Sequence, residues 1–316
     1  MTVNQYEFQQ NPLDLTTFDT RKRWQLRPPP QFPAPWAVEW GTDEFGLWQT
    51  FAVKGIPLKM RYIPPGQFLM GAPENEPERE NNEHQHPVEI TQGFWLAEST
   101  ITQALWRVVM GDNPSYFNPK TNEKVKGITE EELPVDRVSW NDCQQFFKQL
   151  NQLIPELHLT FPTEAQWEYA CRAGSVTPFN TGENITTEQA NFDGTDPYAD
   201  FSNGESKGES IGRTVPVKSF QANTWGLYQM HGNVWEWCLD YRRDYPNNSN
   251  NLQTDPMGLS EHEHAALRGG SWFINARYCR SANRFASERD LRRSIIGVRP
   301  CSTTGQQGQR SVAGER

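Results

Sequence analysis

Residues 225–237 read WGLYQMHGNVWEW, in which a glycine turn is followed by two tryptophans on either side of a glutamate. Successive side chains of a strand point to opposite faces, so Trp235 and Trp237 would share one face and Glu236 would point to the other. Because Glu236 lies among apolar residues, its carboxylate needs a partner, either an arginine such as Arg268 or a cation. The stretch therefore predicts a buried strand whose single charge is neutralised inside the protein.

The C-terminal part of the chain has a second patterned stretch, residues 267–301, which read LRGGSWFINARYCRSANRFASERDLRRSIIGVRPC. Three groups in it are regular: RGGSW, CRSANR and IGVR. The residues between them follow neither a helical nor a strand period. Gly269 and Gly270, like Gly232 upstream, suit backbone positions at which φ is positive or a Cβ would clash. We expect a rigid frame that holds an unpatterned filling.

Upstream of these stretches, strands come first and helices follow. Residues 46–71 alternate as a strand, a glycine turn and two more short strands, and residues 87–102 resume the alternation. Helices are predicted over 100–111 from a threonine cap to Gly111, over 139–153 from Ser139 or Asn141, and over 162–174 with a capping box.

Composition excludes several classes of protein. The chain has 316 residues with a net charge of −9, so a phosphate-tracking surface and general nucleic-acid binding are not expected. No secretory signal and no apolar run of about 20 residues is present, which predicts a soluble, cytoplasmic chain without a membrane span. The cysteines are odd in number and form no CxxC pair, so buried reduced thiols are expected; they are Cys143, Cys171, Cys238, Cys279 and Cys301.

The chain divides into three segments. Residues 1–45 are rich in Pro and Gln and predict an extended arm that packs on the body through tryptophans, namely Trp36 and Trp40, with Trp48 just beyond it. Residues 46–301 form the body. Residues 302–316 are rich in Gly, Ser and Gln and predict a disordered tail.

Close histidine pairs occur at His84/His86 and His262/His264. An H-x-H pair on a strand could share a metal, but both pairs lie in polar stretches. Residues 74–86, ENEPERENNEHQH, are predicted to be a charged, solvated loop, which favours solvated histidines over metal ligands. His231 lies inside the glycine turn and is expected to be structural.

The motifs FLMG, PVEIT, GFWLAESTIT, NPSYF, LPVDRVSWNDC, FPTEAQWEYACRAG, WGLYQMHGNVWEW, LRGGSW and GVR occur in one order over residues 55–301. In this order they resemble the formylglycine-generating-enzyme (sulfatase-modifying factor) family. The resemblance implies an α+β protein with an elaborated C-type-lectin fold: a small twisted antiparallel sheet, two to three helices and long loops.

The resemblance also implies two structural calcium sites with oxygen ligands, the kind that Ca²⁺ prefers. The first would use Asn191, the Phe192 carbonyl, Glu209 and the Ile211 carbonyl. The second would use Gln229, the Gly232 and Val234 carbonyls, and Glu236. Gln229 and Glu209 differ from the asparagine and aspartate usual in the family.

Catalytic members of the family bind copper through two cysteines in a loop after the RGGS motif. In this chain only Phe273–Cys279 separate Trp272 from Arg280, and Cys279 takes the place of an aromatic residue. One thiolate cannot form a two-sulfur Cu(I) site. Iron-dependent sulfoxide synthases, a second branch, need three histidines on an upstream helical domain, and residues 1–45 contain none. We therefore expect neither copper nor iron, and no enzymatic activity.

The stretch 267–301 more specifically resembles the variable region of target proteins of diversity-generating retroelements, in which adenines of asparagine codons are replaced. Such codons cannot become Lys, Glu, Gln, Met or Trp, and no such residue occurs at the candidate positions, whereas Glu288 lies outside the reachable set. The candidates are Phe273, Ile274, Asn275, Arg277, Tyr278, Phe285, Ala286, Ser287, Leu291, Arg293, Ser294 and Ile295. Ordinary loop divergence is the alternative for the set, and core packing is the alternative for single residues such as Ile274 and Ile295.

These observations favour a non-enzymatic, monomeric binding protein that recognises an unknown protein or other macromolecular ligand through its C-terminal surface. Apolar side chains interleaved with arginines are typical of binding hot spots. Two alternatives remain: a copper or iron enzyme of the related branches, and a paralogue that binds a partner through the N-terminal arm.

Overall fold

A hairpin closed at Lys54 and Gly55 joins two strands of the largest sheet in the computed structural model, which describes residues 23–196, 198–199, 208–241, 244–246, 251–258 and 263–302. Both turn residues have positive φ, 49° and 83°, and Val53 pairs with Ile56, as a two-residue turn of type I′ requires. The glycine turn predicted between the first two strands is confirmed.

Thirteen strands and four helices are present among the described residues. The strands are β1 Glu39–Asp43, β2 Gly46–Val53, β3 Ile56–Ile63, β4 Gly66–Met70, β5 His86–Ile90, β6 Phe94–Ala97, β7 Leu159–Thr160, β8 Trp235–Tyr241, β9 Gln253–Thr254, β10 His264–Arg268, β11 Phe285–Glu288, β12 Ile296–Gly297 and β13 Cys301–Ser302. The helices are α1 Arg23–Leu26, α2 Gln103–Met110, α3 Trp140–Leu153 and α4 Glu164–Arg172.

The strands form three sheets rather than the one small sheet that the resemblance implied. A six-stranded antiparallel sheet has the order β1-β2-β3-β6-β13-β7. A four-stranded sheet, β11-β10-β8-β12, is antiparallel except for the β8–β12 pair, and a three-stranded sheet has the order β4-β5-β9. The α+β, loop-rich C-type-lectin architecture is otherwise as expected.

The three predicted helices are confirmed together with their caps. Thr102 caps α2, which ends at Gly111 with φ 91°. Ser139 closes a capping box at the start of α3, and Thr163 closes another with Gln166 at the start of α4. Each cap side chain satisfies a backbone N–H that the first helical turn leaves without a partner. The residue types of these caps therefore predict where the helices start.

The main core lies between the six-stranded sheet and the helices α2 and α3. Trp106 of α2 stacks on Phe146 of α3 with ring centroids 4.9 Å apart. The apolar face of β8 joins the same core, since Trp235 and Trp237 are both buried. The prediction that the two rings share one face of a buried strand is thus confirmed.

Part of the predicted arm belongs to the large sheet. Trp36 is buried and packs edge-on against Phe51 and Trp95, as an anchor should. Residues 39–43, however, form β1 of the large sheet, and Trp40 on this edge strand is 51% exposed. Trp40 is therefore not an anchor. Residues 1–22 and 303–316 lie outside the described residues, so the rest of the arm and the tail stay predictions.

None of the helices in the described ranges is long and apolar enough to cross a membrane.

Candidate functional site

Two glycines turn the chain out of β10 and into the unpatterned filling. Gly269 and Gly270 have φ values of 94° and 78°. A Cβ on Gly270 would lie 2.4 Å from the Cys279 sulfur and 3.1 Å from the Tyr278 carbonyl oxygen. The turn therefore needs glycine both for its backbone conformation and for the close approach of the 276–279 turn.

We expect Gly270→Ala to lower the free energy of unfolding by about 2–4 kcal/mol, because it adds a steric clash to a left-handed backbone. Urea denaturation measures this loss as a lower midpoint at unchanged slope. Gly111→Ala is the matched control, since Gly111 has a similar φ of 91° and nothing within 4 Å of its Cβ position. Equal losses in the two variants would show that crowding at Gly270 contributes nothing.

Two buried arginines, Arg268 and Arg284, attach residues 282–284 to helix α4. Arg284 makes a bidentate ion pair with Glu164, at 2.6 and 2.8 Å. Arg268 pairs with Glu168 and donates to the carbonyls of Ala282 and Asn283. All these charged groups are buried, and each charge faces an opposite one, as burial requires.

A third buried arginine ties the same segment to the loop 74–86. Arg280 Nη1 lies 2.7 Å from carboxylate oxygens of both Glu76 and Glu83, and its Nη2 lies 2.9 Å from Glu83. Glu83 and His86 are fully buried. The prediction of a solvated loop with solvated histidines is wrong at these positions, because Arg280 neutralises the carboxylates and so permits their burial. His84 is half-buried, His264 is exposed, and His262 lies outside the described residues.

The side chains of all twelve candidate binding positions reach solvent at least in part, and together we name them the C-terminal surface. The two exposed phenylalanines are Phe273, 63% exposed, and Phe285, 51% exposed. Arg277 and Arg293 are exposed as well. The other members, all half-buried, are Ile274, Asn275, Tyr278, Ala286, Ser287, Leu291, Ser294 and Ile295. By contrast, the frame between them is buried at Ala276 and at residues 279–284 and 296–300.

Two tryptophans connect the separate parts of the C-terminal surface. Trp272 packs against Phe273 at 5.3 Å, and its indole Nε1 donates to the Ser294 carbonyl at 3.0 Å. Trp235 packs against Phe285 at 5.5 Å, and its backbone N–H donates to the Ile295 carbonyl at 2.7 Å. Since residues 294 and 295 are adjacent in the chain, both tryptophans hold the same segment, and each of them packs against one of the two phenylalanines.

Four apolar members of this face are seated on the main core. Ile274, Tyr278, Leu291 and Ile295 are half-buried and pack against it. The alternative of core packing therefore holds in part for Ile274 and Ile295. Arg277 is placed over the ring of Tyr278 at 4.5 Å and lies 3.5 Å from Glu78. The face thus combines apolar area with an oriented guanidinium group.

The partner of Glu236 is Arg299, not Arg268. Arg299 binds both carboxylate oxygens, at 2.7 and 2.9 Å, and the indole of Trp167 donates to the same carboxylate at 2.7 Å. With its charge neutralised and both oxygens engaged, Glu236 does not fit a role as calcium ligand. The second implied calcium site is therefore not supported, although Gly232 and the buried Val234 follow the expected turn and Gln229 has the left-handed φ of 52°.

The first implied calcium site keeps one free oxygen. Asn191 is buried, its amide donates to the Arg213 carbonyl and to Asn233, and its Oδ1 finds no hydrogen-bond donor among the described residues. Phe192 beside it is buried, whereas Glu209 and Ile211 are exposed. Hard cations take such amide oxygens, so Asn191 retains one oxygen that a cation could use.

The only cysteine in the stretch 267–301 apart from its last residue, Cys279, is sealed inside the frame. Its side chain is fully buried beneath Gly270, and burial raises the pKa of the thiol to about 12. The other four cysteines are also buried and free. A thiol of this kind stays protonated and inaccessible at neutral pH, which makes it a poor nucleophile and metal ligand.

His231 is a buried neutral histidine within the same frame. Its Nδ1 bonds the Cys279 carbonyl at 2.7 Å and its Nε2 accepts from the Asn180 backbone at 3.0 Å. Burial lowers the pKa of His231 to about 4. The expected structural role fits this geometry, because the ring connects the glycine turn with the 276–279 turn.

Acid should weaken the fold through His231. Its pKa is lower in the folded chain than in the unfolded one, so its contribution is complete above pH 6.5 and is lost as pH falls towards 4. The difference in free energy of unfolding between wild type and His231→Gln should shrink by about 3 kcal/mol over this range. Denaturation at stepped pH measures it, with the exposed His264→Gln as a control for the substitution itself. A pH-independent difference for His231→Gln would contradict the buried neutral ring.

Glu76 and Glu83 are the site residues that sequence reasoning missed. Both look like surface acids because they lie in a highly charged segment. The one available signal was an excess of arginines in the frame. Arg268, Arg280 and Arg299 have no acidic residue within four positions of the sequence.

Comparison with known proteins agrees with this architecture. The FGE-sulfatase model, described as Sulfatase-modifying factor enzyme 1-like domain, matches residues 45–303. Among solved structures, Treponema denticola variable protein 1 superposes with a TM-score of 0.65 at 24% identity, over 81% of this chain and 98% of that one, which shows a shared fold.

Sequence relatives lead to different names. A serine/threonine-protein kinase, pkn1, of Chlamydia caviae is 29% identical over 78% of this chain and 38% of its own length. A formylglycine-generating enzyme of Thermomonospora curvata is 28% identical over 68% of this chain and 64% of its own length. The chain thus spans less than two thirds of each of these relatives.

Proposed function

We propose a binding role for this chain, which belongs to the FGE-sulfatase family of Sulfatase-modifying factor enzyme 1-like domains. In this proposal the chain is not an enzyme. Its C-terminal surface recognises a protein or another macromolecular ligand, and the positions of that surface are the diversified ones of a retroelement target protein.

One observation carries the proposal: twelve solvent-accessible side chains alternate with a frame that is buried and held by ion pairs. Large apolar side chains such as Phe273 and Phe285 cost free energy when they are left in water, so their exposure suggests a partner that covers them. A frame held by Arg268, Arg280 and Arg284 keeps the backbone ordered before binding, which reduces the entropic cost of association. Exchange of the surface side chains would then change specificity while the fold stays intact.

The state of the cysteines supports a binder over a copper oxidase. Copper chemistry of the family type needs two accessible thiolates, and Cys279 is a single buried thiol with a raised pKa. The likeness to a variable protein of Treponema denticola is a likeness of fold, and it makes a diversified surface a reasonable use of this scaffold.

Sequencing tests the proposal most directly. The gene and its flanking DNA should be read in many descendants of one clone of the source cell. We expect a nearby near-identical repeat and substitutions confined to the codons of the C-terminal surface. Absence of a repeat, together with substitutions spread evenly over the frame, would refute a diversified binding surface.

An activity assay tests the enzyme alternative. The purified chain is loaded with Cu(I) and offered a cysteine-containing peptide in the presence of oxygen, and aldehyde formation is followed by mass spectrometry. We expect none above that of a Cys279→Ser variant. Copper-dependent aldehyde formation that this variant lacks would favour the oxidase.

We further propose that a calcium ion binds at Asn191, where a buried amide oxygen lacks a hydrogen-bond donor among the described residues. Calorimetry after chelation should then detect binding heat. Because a ligand that binds only the folded state stabilises it, the melting temperature should rise, by the equivalent of about 2.7 kcal/mol at a hundredfold excess over Kd. Asn191→Ala should abolish both signals. A melting temperature unchanged by calcium in the wild type would show that no calcium ion binds at this site.

A further inference from the structure

An exposed aromatic residue far from the stretch 267–301 is connected to the C-terminal surface. Tyr116, 52% exposed, packs edge-on against Phe117 at 5.0 Å, and Phe117 packs edge-on against Trp272 at 5.3 Å. Trp272 in turn packs against Phe273 at 5.3 Å. In this line of four rings Phe117 is buried, Trp272 is half-buried, and the two end rings are exposed, so packed side chains link Tyr116 to Phe273 of the C-terminal surface.

A cationic residue lies next to the same face. Arg137 is exposed, and its backbone N–H donates to the Arg293 carbonyl at 3.0 Å. Its φ of 59° is unusual for a residue other than glycine, and such conformations persist only where the surroundings fix them. Arg137 is therefore held in one backbone conformation beside Arg293.

One buried carboxylate positions both Tyr116 and Arg137. Asp136 accepts hydrogen bonds from the backbone N–H groups of Tyr116, at 2.8 Å, and Phe117, at 3.2 Å. Its own backbone N–H donates to Ser115 at 3.1 Å. The loop with Tyr116 and the segment with Arg137 are thus fastened to each other without any residue of the C-terminal surface.

The guanidinium groups at this edge form no close ion pair with a described residue, although the buried Asp136 carboxyl acts electrostatically on Arg137. Among the described residues, neither Arg137 nor Arg293 forms an ion pair. The carboxylates nearby in the chain are already engaged. Asp136 is buried and accepts the two backbone hydrogen bonds described above, Asp142 binds two nitrogens of Arg292, and Asp290 accepts from Asn141. In a chain with a net charge of −9, two adjacent unpaired arginines beside exposed aromatic rings are complementary to an acidic group.

We infer that Tyr116 and Arg137 form a constant edge of the binding surface, which receives an acidic side chain next to an apolar one on a partner protein. This inference rests on the proposed function and adds to it the chemistry of the partner. The constant edge orients each ligand in the same way, while the diversified positions beside it decide which ligand binds. Sequence changes at the diversified positions would then alter which acidic protein surface is bound, while the preference for acidic surfaces stays the same.

Selection from a displayed library of disulfide-constrained random peptides tests the inference. Peptides that bind the wild-type chain should carry an excess of Asp and Glu over the unselected library. Binding of the selected peptides should fall at least about tenfold in Tyr116→Ser and in Arg137→Glu, the size of a hot-spot loss. Exchanging the peptide's acidic residue for Lys should restore binding to Arg137→Glu.

Matched controls come from exposed residues elsewhere. Trp40→Ser removes an aromatic ring of similar exposure on the edge strand β1, and Arg27→Glu reverses an exposed arginine of the N-terminal segment; both should bind as the wild type does. Melting temperatures of all variants verify that the fold is kept.

The outcomes distinguish a failure of the constant edge from a failure of the proposed function. Two outcomes overturn the constant edge and leave the proposed function standing, provided that the selected peptides lose binding to the Phe273→Ser/Phe285→Ser variant. In the first, the peptides bind Tyr116→Ser or Arg137→Glu within twofold of wild type. In the second, they show no excess of acidic residues. If no selected peptide depends on Phe273 and Phe285, the proposed function itself fails.

Discussion

Replacing Arg280 by methionine should lower the free energy of unfolding by about 3–5 kcal/mol, the cost of breaking a buried ion pair by removing one partner. The variant keeps Glu76 and Glu83 buried, with no cation in contact with them. Since domains of this size are stable by only about 5–15 kcal/mol, most of the stability margin would be lost. Urea denaturation followed by circular dichroism measures the change.

The pH dependence of this defect identifies its electrostatic origin. Burial already raises the pKa of Glu76, and Arg280 opposes that rise. Without Arg280, the pKa of Glu76 should rise further. A group whose pKa is raised in the folded state contributes stability at low pH and loses it as pH rises, so the deficit of Arg280→Met should be smaller at pH 4 than at pH 8.

Two further variants complete this test. Arg292→Met breaks a bidentate pair with Asp142, but Arg292 is 50% exposed, so the loss should stay below about 1 kcal/mol. Combining Arg280→Met with Glu76→Gln and Glu83→Leu removes the unpaired charges and should recover part of the loss. An Arg280→Met variant as stable as Arg292→Met would show that the buried pair does not hold the frame.

Features coded by neighbouring residues were predictable from the sequence. The caps of α2, α3 and α4 depend on residues three positions apart, so the local pattern suffices. The exposure of the filling was predictable in part, because a segment without a helical or strand period indicates no fully buried face. The pattern did not predict that Phe285–Glu288 form strand β11 or that four apolar members of the filling pack against the main core.

Features that depend on distant pairings were not predictable. Strand β13 is two residues long, yet it lies between β6 and β7 and completes the large sheet. Arg280 meets Glu83 across 197 positions of sequence, and in isolation each of the two reads as a surface residue. The choice of Arg299 over Arg268 for Glu236 is of the same kind, because only the folded backbone decides which guanidinium reaches the carboxylate.

The C-terminal surface should be separable from stability. Phe273→Ser, Phe285→Ser, Arg277→Ser and Arg293→Ser combined should change the free energy of unfolding by less than about 1 kcal/mol, because all four side chains are exposed. The same variant should lose at least about a hundredfold in affinity for a peptide selected on the wild type, since aromatic and arginine anchors carry most of the energy of an interface.

A core variant provides the reciprocal control. Val298→Ala removes buried volume from the frame's last segment, where Val298 is fully buried, and should cost about 1–3 kcal/mol of stability while affinity at a temperature far below unfolding changes little. Stability is measured by urea denaturation and affinity by calorimetry on the same preparations. A fourfold serine variant that unfolds readily yet retains its affinity would mean that these side chains serve the fold. The hypothesis of a diversified binding site would then be wrong, because the side chains of such a surface can vary only if the frame beneath them is stable without them.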